Sequence, residues 1–143
     1  MDYGITVHTS APFADVVARV REALKAQGFG VLTEIDVRAT LRDRLGEEME
    51  DYLILGACNP PLAHRALSSE IGIGLLLPCN VIVYAGDAPG RSVVAVLDPV
   101  VQLGVTGRED LKPLASQVQG LLKQMLEHVR EAAGRTVQPQ TRN

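Results

Sequence analysis

The sequence predicts an α+β fold, a mainly antiparallel sheet with helices packed on one face. Three observations carry this. Five short segments, at residues 4–9, 30–35, 52–58, 81–84 and 92–97, have the alternating or continuously apolar character of strands. Apolar residues at helical spacing fall between them and after the last of them. The final two strands are joined by the turn residues Gly86-Asp87-Ala88-Pro89-Gly90, which makes them an antiparallel hairpin. A chain of 143 residues has room for one domain, expected over residues 1–134 with a polar C-terminal tail at 135–143.

The first strand, Gly4-Ile-Thr-Val-His-Thr9, alternates its side chains, so His8 points away from the helix layer that Val7 faces. Ser10-Ala11-Pro12 opens a helix with Asp15 in its first turn. Phe13, Val16, Val17, Val20 and Leu24 recur on one face of it until Gln27-Gly28. A short link leads to the second strand. Asp36 then caps a short helix whose Val37, Leu41 and Leu45 fall four residues apart, and Gly46 closes it in a left-handed conformation. This helix is expected across the sheet's edge.

Glu47, Glu48, Glu50 and Asp51 form a solvated acidic loop before the apolar strand 52–58. Asn59 is an N-cap, and Pro60 and Pro61 occupy the first helical turn, where a missing N–H costs nothing. That helix runs to about Ser69. Glycines and Pro78 interrupt residues 71–77, which fit no regular pattern. Asp98-Pro99 ends the last strand. Leu111, Leu114, Val118, Leu121, Leu122, Met125 and Val129 mark a long final helix, capped by Asp110 and ending at Gly134.

Charge and composition narrow the partners. Lys and Arg total 14 against 17 Asp and Glu, a formal charge of -3, so no basic excess meets a phosphate backbone. Three Tyr, two Phe and no Trp leave few platforms for base stacking. Nucleic acid is therefore not an expected partner. Met-Asp-Tyr-Gly shows no basic-then-apolar leader, and the longest apolar run, residues 71–85, is broken by Gly72, Gly74, Pro78 and Asn80. A cytoplasmic protein without a membrane partner is the expectation. Strands 52–58 and 81–84 are apolar on both sides, beyond what one helix layer requires. A homodimer covers the second face most simply.

Two Cys-Asn dipeptides, Gly56-Ala-Cys58-Asn59-Pro60 and Leu77-Pro-Cys79-Asn80-Val81, are the most informative chemical feature. The intervening helix retreats some 15 Å, and residues 71–78, if extended, return as much as about 26 Å. The two thiols can thus reach the same edge of the sheet. Cys58 directly precedes a helix N-cap, a setting that favours thiolate. Three readings stay open. One is a small-ligand or soft-metal site built from Cys58, Asn59, Cys79 and Asn80, with His64 as an accessory. Another is a thiol-based redox or sulfur-handling site in which Cys58 attacks and Cys79 resolves. The last is a structural or interaction domain with both thiols buried and inert.

No standard zinc spacing is present, and two further ligands are lacking. Gly72-Ile-Gly74 lacks the third glycine of a dinucleotide fingerprint, and no Gly-Lys-Ser or Gly-Lys-Thr phosphate loop occurs. Arg38, Arg42 and Arg44 read as a solvated face beside the acidic loop. No catalytic set and no cofactor can be named from these residues.

The stretches Tyr52-Leu-Ile-Leu-Gly-Ala-Cys-Asn-Pro60, Leu62-Ala63, Ala66-Leu67 and Ile73-Gly-Leu-Leu-Leu-Pro-Cys-Asn-Val81 resemble the bacterial and archaeal DUF302 family, a domain of unknown function. The resemblance extends from the opening strand through Asp98-Pro99. It implies a topology similar to the TATA-box-binding-protein-like arrangement, and a homodimer, without implying DNA binding. It also places Cys58 and Cys79 in the family's hallmark segments. The family has no settled activity, so no catalytic residues carry over.

Overall fold

Residues 1–137 are described by the computed structural model, with side chains through residue 131. The architecture is α+β. Strands β1 (Gly4–Thr9), β2 (Gly30–Asp36), β3 (Tyr52–Cys58), β4 (Cys79–Ala85) and β5 (Ser92–Leu97) form one sheet in the order β1-β5-β4-β3-β2. Every neighbouring pair is antiparallel. Five helices accompany it: α1 (Phe13–Ala26), α2 (Val37–Leu45), α3 (Pro60–Ser69), α4 (Pro99–Gly104) and α5 (Lys112–Val137).

Strand alternation sorts the side chains between two faces. Leu53, Leu55 and Ala57 of β3, Val81 and Val83 of β4, and Val94 and Val96 of β5 are buried in the core beneath the helices. Onto them α1 lays Val16, Val20 and Leu24, while α5 lays Leu114, Val118, Leu122 and Met125. Each large aliphatic side chain so buried contributes roughly 1.5–3 kcal/mol. The helical spacing of these residues, the strongest signal in the sequence, is thus spent on the sheet.

The other face carries Thr33 and Ile35, Tyr52 and Ile54, Asn80, Ile82 and Tyr84, Val93 and Ala95, and Thr6 and His8, as the register dictates. None of these positions holds Asp, Glu, Lys or Arg. Tyr52 and Tyr84 lie directly opposite one another and stack with ring centroids 5.4 Å apart. Edge strand β2 is mostly exposed, and α2, which packs on β2 and β3, buries no residue completely.

Local capping follows the sequence closely at two helices. Asp36 accepts the Ala39 N–H at 2.9 Å, and Gly46 closes α2 at φ +68°. Asn59 accepts the Leu62 N–H at 3.4 Å at the start of α3.

Elsewhere the structure departs from expectation. Residues Ile71–Leu76, which fit no regular pattern in the sequence, form a 3₁₀ turn, so of the two returns left open, extended or folded, the chain takes the folded one. Asp98-Pro99 both ends β5 and starts α4, since the Asp98 carboxylate accepts the Val100 N–H at 2.9 Å. Asp110 does not cap the final helix. Its carboxylate is taken by Arg108 at 3.0 and 2.8 Å within a 3₁₀ turn, Glu109–Leu111, and α5 begins at Lys112. Gly134 does not stop α5, which continues to Val137 because an interior glycine costs a helix only about 1 kcal/mol. The tail expected at 135–143 thus begins within α5, and residues 138–143 lie outside the described residues.

Close packing at Gly56 allows a direct check of the sheet. A Cβ there would stand 2.2 Å from the Thr33 Oγ1 and 2.9 Å from the Pro78 Cγ. Gly56→Ala is expected to cost about 1–3 kcal/mol, read as a lower urea midpoint. Adding Thr33→Ala should recover part of that loss. Unchanged stability in the single variant would contradict the β2–β3–β4 register.

Candidate functional site

The site grows out of the end of the β3–β4 ladder. β3 finishes at Cys58, Asn59 turns the chain into α3, and the 3₁₀ turn and Leu77-Pro78 return it to β4 at Cys79. The register places Ala57, and not Cys58, opposite Cys79. The two thiols therefore leave neighbouring strands one residue out of step, and both are free. Beyond β5, Asp98 and Pro99 set α4 running so that Pro99, Gln102 and Leu103 share one buried face.

Between α3, α4, α5 and the strand ends lies a cavity of about 320 Å³. That volume is within the roughly 300–1,000 Å³ of small-molecule sites. Its base is formed by Ala57, Leu62, Ala66, Leu103, Leu114 and Val118, all buried. Exposed Leu32 and Thr33 and half-buried Cys58, Ala63 and Leu67 mark its mouth. No Asp, Glu, Lys, Arg or His lines it.

Three of the residues expected at a site, Cys58, Asn59 and Cys79, line this cavity together. Asn80 does not. Alternation turns it to the opposite face, where it borders a separate hollow with Tyr3 and Ile82. His64 is exposed on α3 and stands outside the lining; its carbonyl accepts the Ser68 hydroxyl at 2.8 Å. His8 and His128 are exposed as well.

Asn59 is occupied structurally at both ends of its amide. Its oxygen caps α3, and its Nδ2 donates to the Gln27 carbonyl at 3.4 Å, which pins α3 to the end of α1. Gly28 makes room for this bridge, with φ +83° and a hypothetical Cβ only 3.1 Å from the Asn59 Nδ2.

Cys79 is tied to a residue that sequence reasoning missed. Its thiol donates to the Gln102 Oε1 at 3.7 Å, and the Gln102 Nε2 donates to the Leu76 carbonyl. Gln102 is only 4% exposed, a buried polar group that has found its partners. The signal for it was present in Asp98-Pro99, which is as good a helix start as a strand stop. Burial, and secondarily the nearby Cys58, push the Cys79 thiol up to about 11. At neutral pH it is a protonated donor.

The arrangement suits a neutral guest better than a metal ion. Soft metals require thiolate, and among the described residues no group of three or more His, Cys, Asp or Glu is placed to hold one. Also among the described residues, no helix is long and apolar enough to cross a membrane.

Fold and site together define an α+β domain with a one-sided helix layer and an apolar cavity at its cysteine-bearing sheet end. The chain belongs to the family described as domain of unknown function DUF302, whose profile matches residues 5–129. It is similar to the crystal structure of an uncharacterized conserved DUF302 protein from Bacillus stearothermophilus. The two share 28% identity with a TM-score of 0.84, covering 91% of this chain and 100% of the other. No curated protein matches the chain.

The Cys79 environment makes a pH prediction. Because burial raises this thiol from 9.0 to about 11, the neutral form's contribution to stability is complete below pH 9.0 and is lost as pH rises towards about 11. The difference in unfolding free energy between wild type and Cys79→Ala should therefore shrink across that window. In Cys58→Ser, where burial alone still raises the thiol, iodoacetamide should modify native Cys79 with a midpoint above pH 9.0. Rapid modification at pH 7.5 would contradict the buried, hydrogen-bonded thiol.

Proposed function

We propose that this protein is a small cytoplasmic homodimeric binding module that holds a small molecule in the cavity at the Cys58 and Cys79 edge. The observation that carries this reading is the cavity itself, about 320 Å³ of apolar space framed by β2, β3, β4, α3, α4 and α5 and lined by both cysteines. A concave apolar pocket of this size leaves core residues open to solvent, and a guest molecule would cover them. A purely structural reading accounts for the half-buried Cys79 but leaves the cavity without a purpose. The redox alternative is disfavoured by the same thiol, since a resolving cysteine held neutral to about pH 11 is a poor nucleophile.

The dimer is supported by the uncharged sheet face opposite the helices, where Tyr52, Ile54, Ile82 and Tyr84 form an apolar centre. A two-fold pairing of this face on itself would bury it isologously.

Two measurements test these parts separately. Protein purified from its native cells should carry an extractable small molecule, identified by mass spectrometry, that is absent from Ala66→Phe prepared in parallel. The same extract profile for both proteins would contradict the cavity reading. Light scattering should give twice the protomer mass, and Ile54→Lys with Ile82→Lys should give a folded monomer. A wild-type chain that stays monomeric at tens of micromolar would contradict the dimer.

A further inference from the structure

We infer that the occupant of the cavity is a neutral aliphatic molecule of about ten carbons, with any polar end held at the mouth beside half-buried Cys58. This rests on the binding reading above and specifies its ligand class. Three observations lead to it. At about 30 Å³ for a group the size of a water molecule, a size close to that of a methylene, about 320 Å³ accommodates roughly ten such groups.

The lining carries no charged side chain, so a buried carboxylate or ammonium would lose its hydration with nothing to replace it. Even the polar groups in the wall are committed. Asn59 is engaged to Gln27 and Leu62, and Gln102 to Cys79 and Leu76. A ligand carbonyl or hydroxyl reaching the base would lose its hydration among Leu62, Ala66, Leu103, Leu114 and Val118, whereas a hydrocarbon loses nothing there.

The walls themselves are aliphatic apart from Phe29, with Leu62, Leu103, Leu114 and Val118 on three helices facing the space. The inner polar groups, Gln102 and Cys79, are bonded to one another, and the mouth is marked by half-buried Cys58. A molecule apolar along most of its length and polar at one tip matches this arrangement. Linear alkyl and branched terpenoid skeletons share that chemistry.

The experiment follows methyl resonances of Leu62, Leu103, Leu114 and Val118 in full-length protein during titration with 1-decanol, menthol, decanoate and indole. The neutral aliphatic probes should shift these methyls, and the better of the two should bind roughly tenfold or more tightly than decanoate. Preference between 1-decanol and menthol separates the linear from the branched skeleton. Ala66→Phe should abolish the response, and Ala63→Phe at the mouth serves where the first variant does not fold. Decanoate or indole binding as tightly as the neutral probes would overturn the ligand class while leaving the site intact. Absence of any response to all four would overturn the site itself.

Discussion

Strands β3 and β4 share a ladder from Tyr52 opposite Tyr84 to Ala57 opposite Cys79, and almost every rung is apolar on both faces. Hydrophobic burial demands two covers for such a ladder. α1 and α5 supply one, packing over Leu53, Leu55, Val81 and Val83. The same pairing leaves Tyr52, Ile54, Ile82 and Tyr84 on the other side, and it determines which residues stand at the strand ends. A slip of one residue would exchange the two faces and remove Cys79 from the cavity. Gly56 guards against this, because the space its missing Cβ leaves is filled by Thr33 and Pro78.

The cavity follows from how the chain leaves and re-enters that ladder. α3 must start immediately after Cys58 because Asn59 caps it, and the Asn59 amide also fastens it to the end of α1. The 3₁₀ turn then returns the chain compactly, so α3 stands beside the strand ends without closing over them. α4 fills the remaining side with a single turn and a half, and its buried Gln102 ties Cys79 to the Leu76 carbonyl. These polar links satisfy the groups that burial would otherwise penalise. What remains between the helices is hydrocarbon surface.

Elements of sufficient length were legible from residue pattern alone. The strands, α1, α2 with its Asp36 cap and Gly46 stop, and α3 with Asn59-Pro60 all announced themselves by period or punctuation. Short elements did not, because six residues of 3₁₀ turn or of α4 give too few repeats to establish a period. Asp98-Pro99 and Asp110 each allowed two readings, and tertiary context chose between them. At the site, the pairing of the two Cys-Asn motifs drew attention to Cys58, Asn59 and Cys79, and the structure brings these three to one cavity wall. Asn80 was carried along by adjacency, although period-two alternation next to Cys79 turns it to the other face. His64 was drawn in by sequence proximity to Cys58, yet α3 presents it to solvent. Gln102 escaped notice because its importance lies in a hydrogen bond to a residue 23 positions away.

The central claim is that a preformed apolar cavity sits at the cysteine end of the sheet. Crystals of the protein, stripped of any co-purified small molecule and held under xenon pressure, test it directly, since xenon enters apolar cavities. The account predicts xenon bound among Leu62, Leu103 and Leu114, within the space of about 320 Å³. Ordered waters filling that space, or xenon bound only elsewhere, would contradict it.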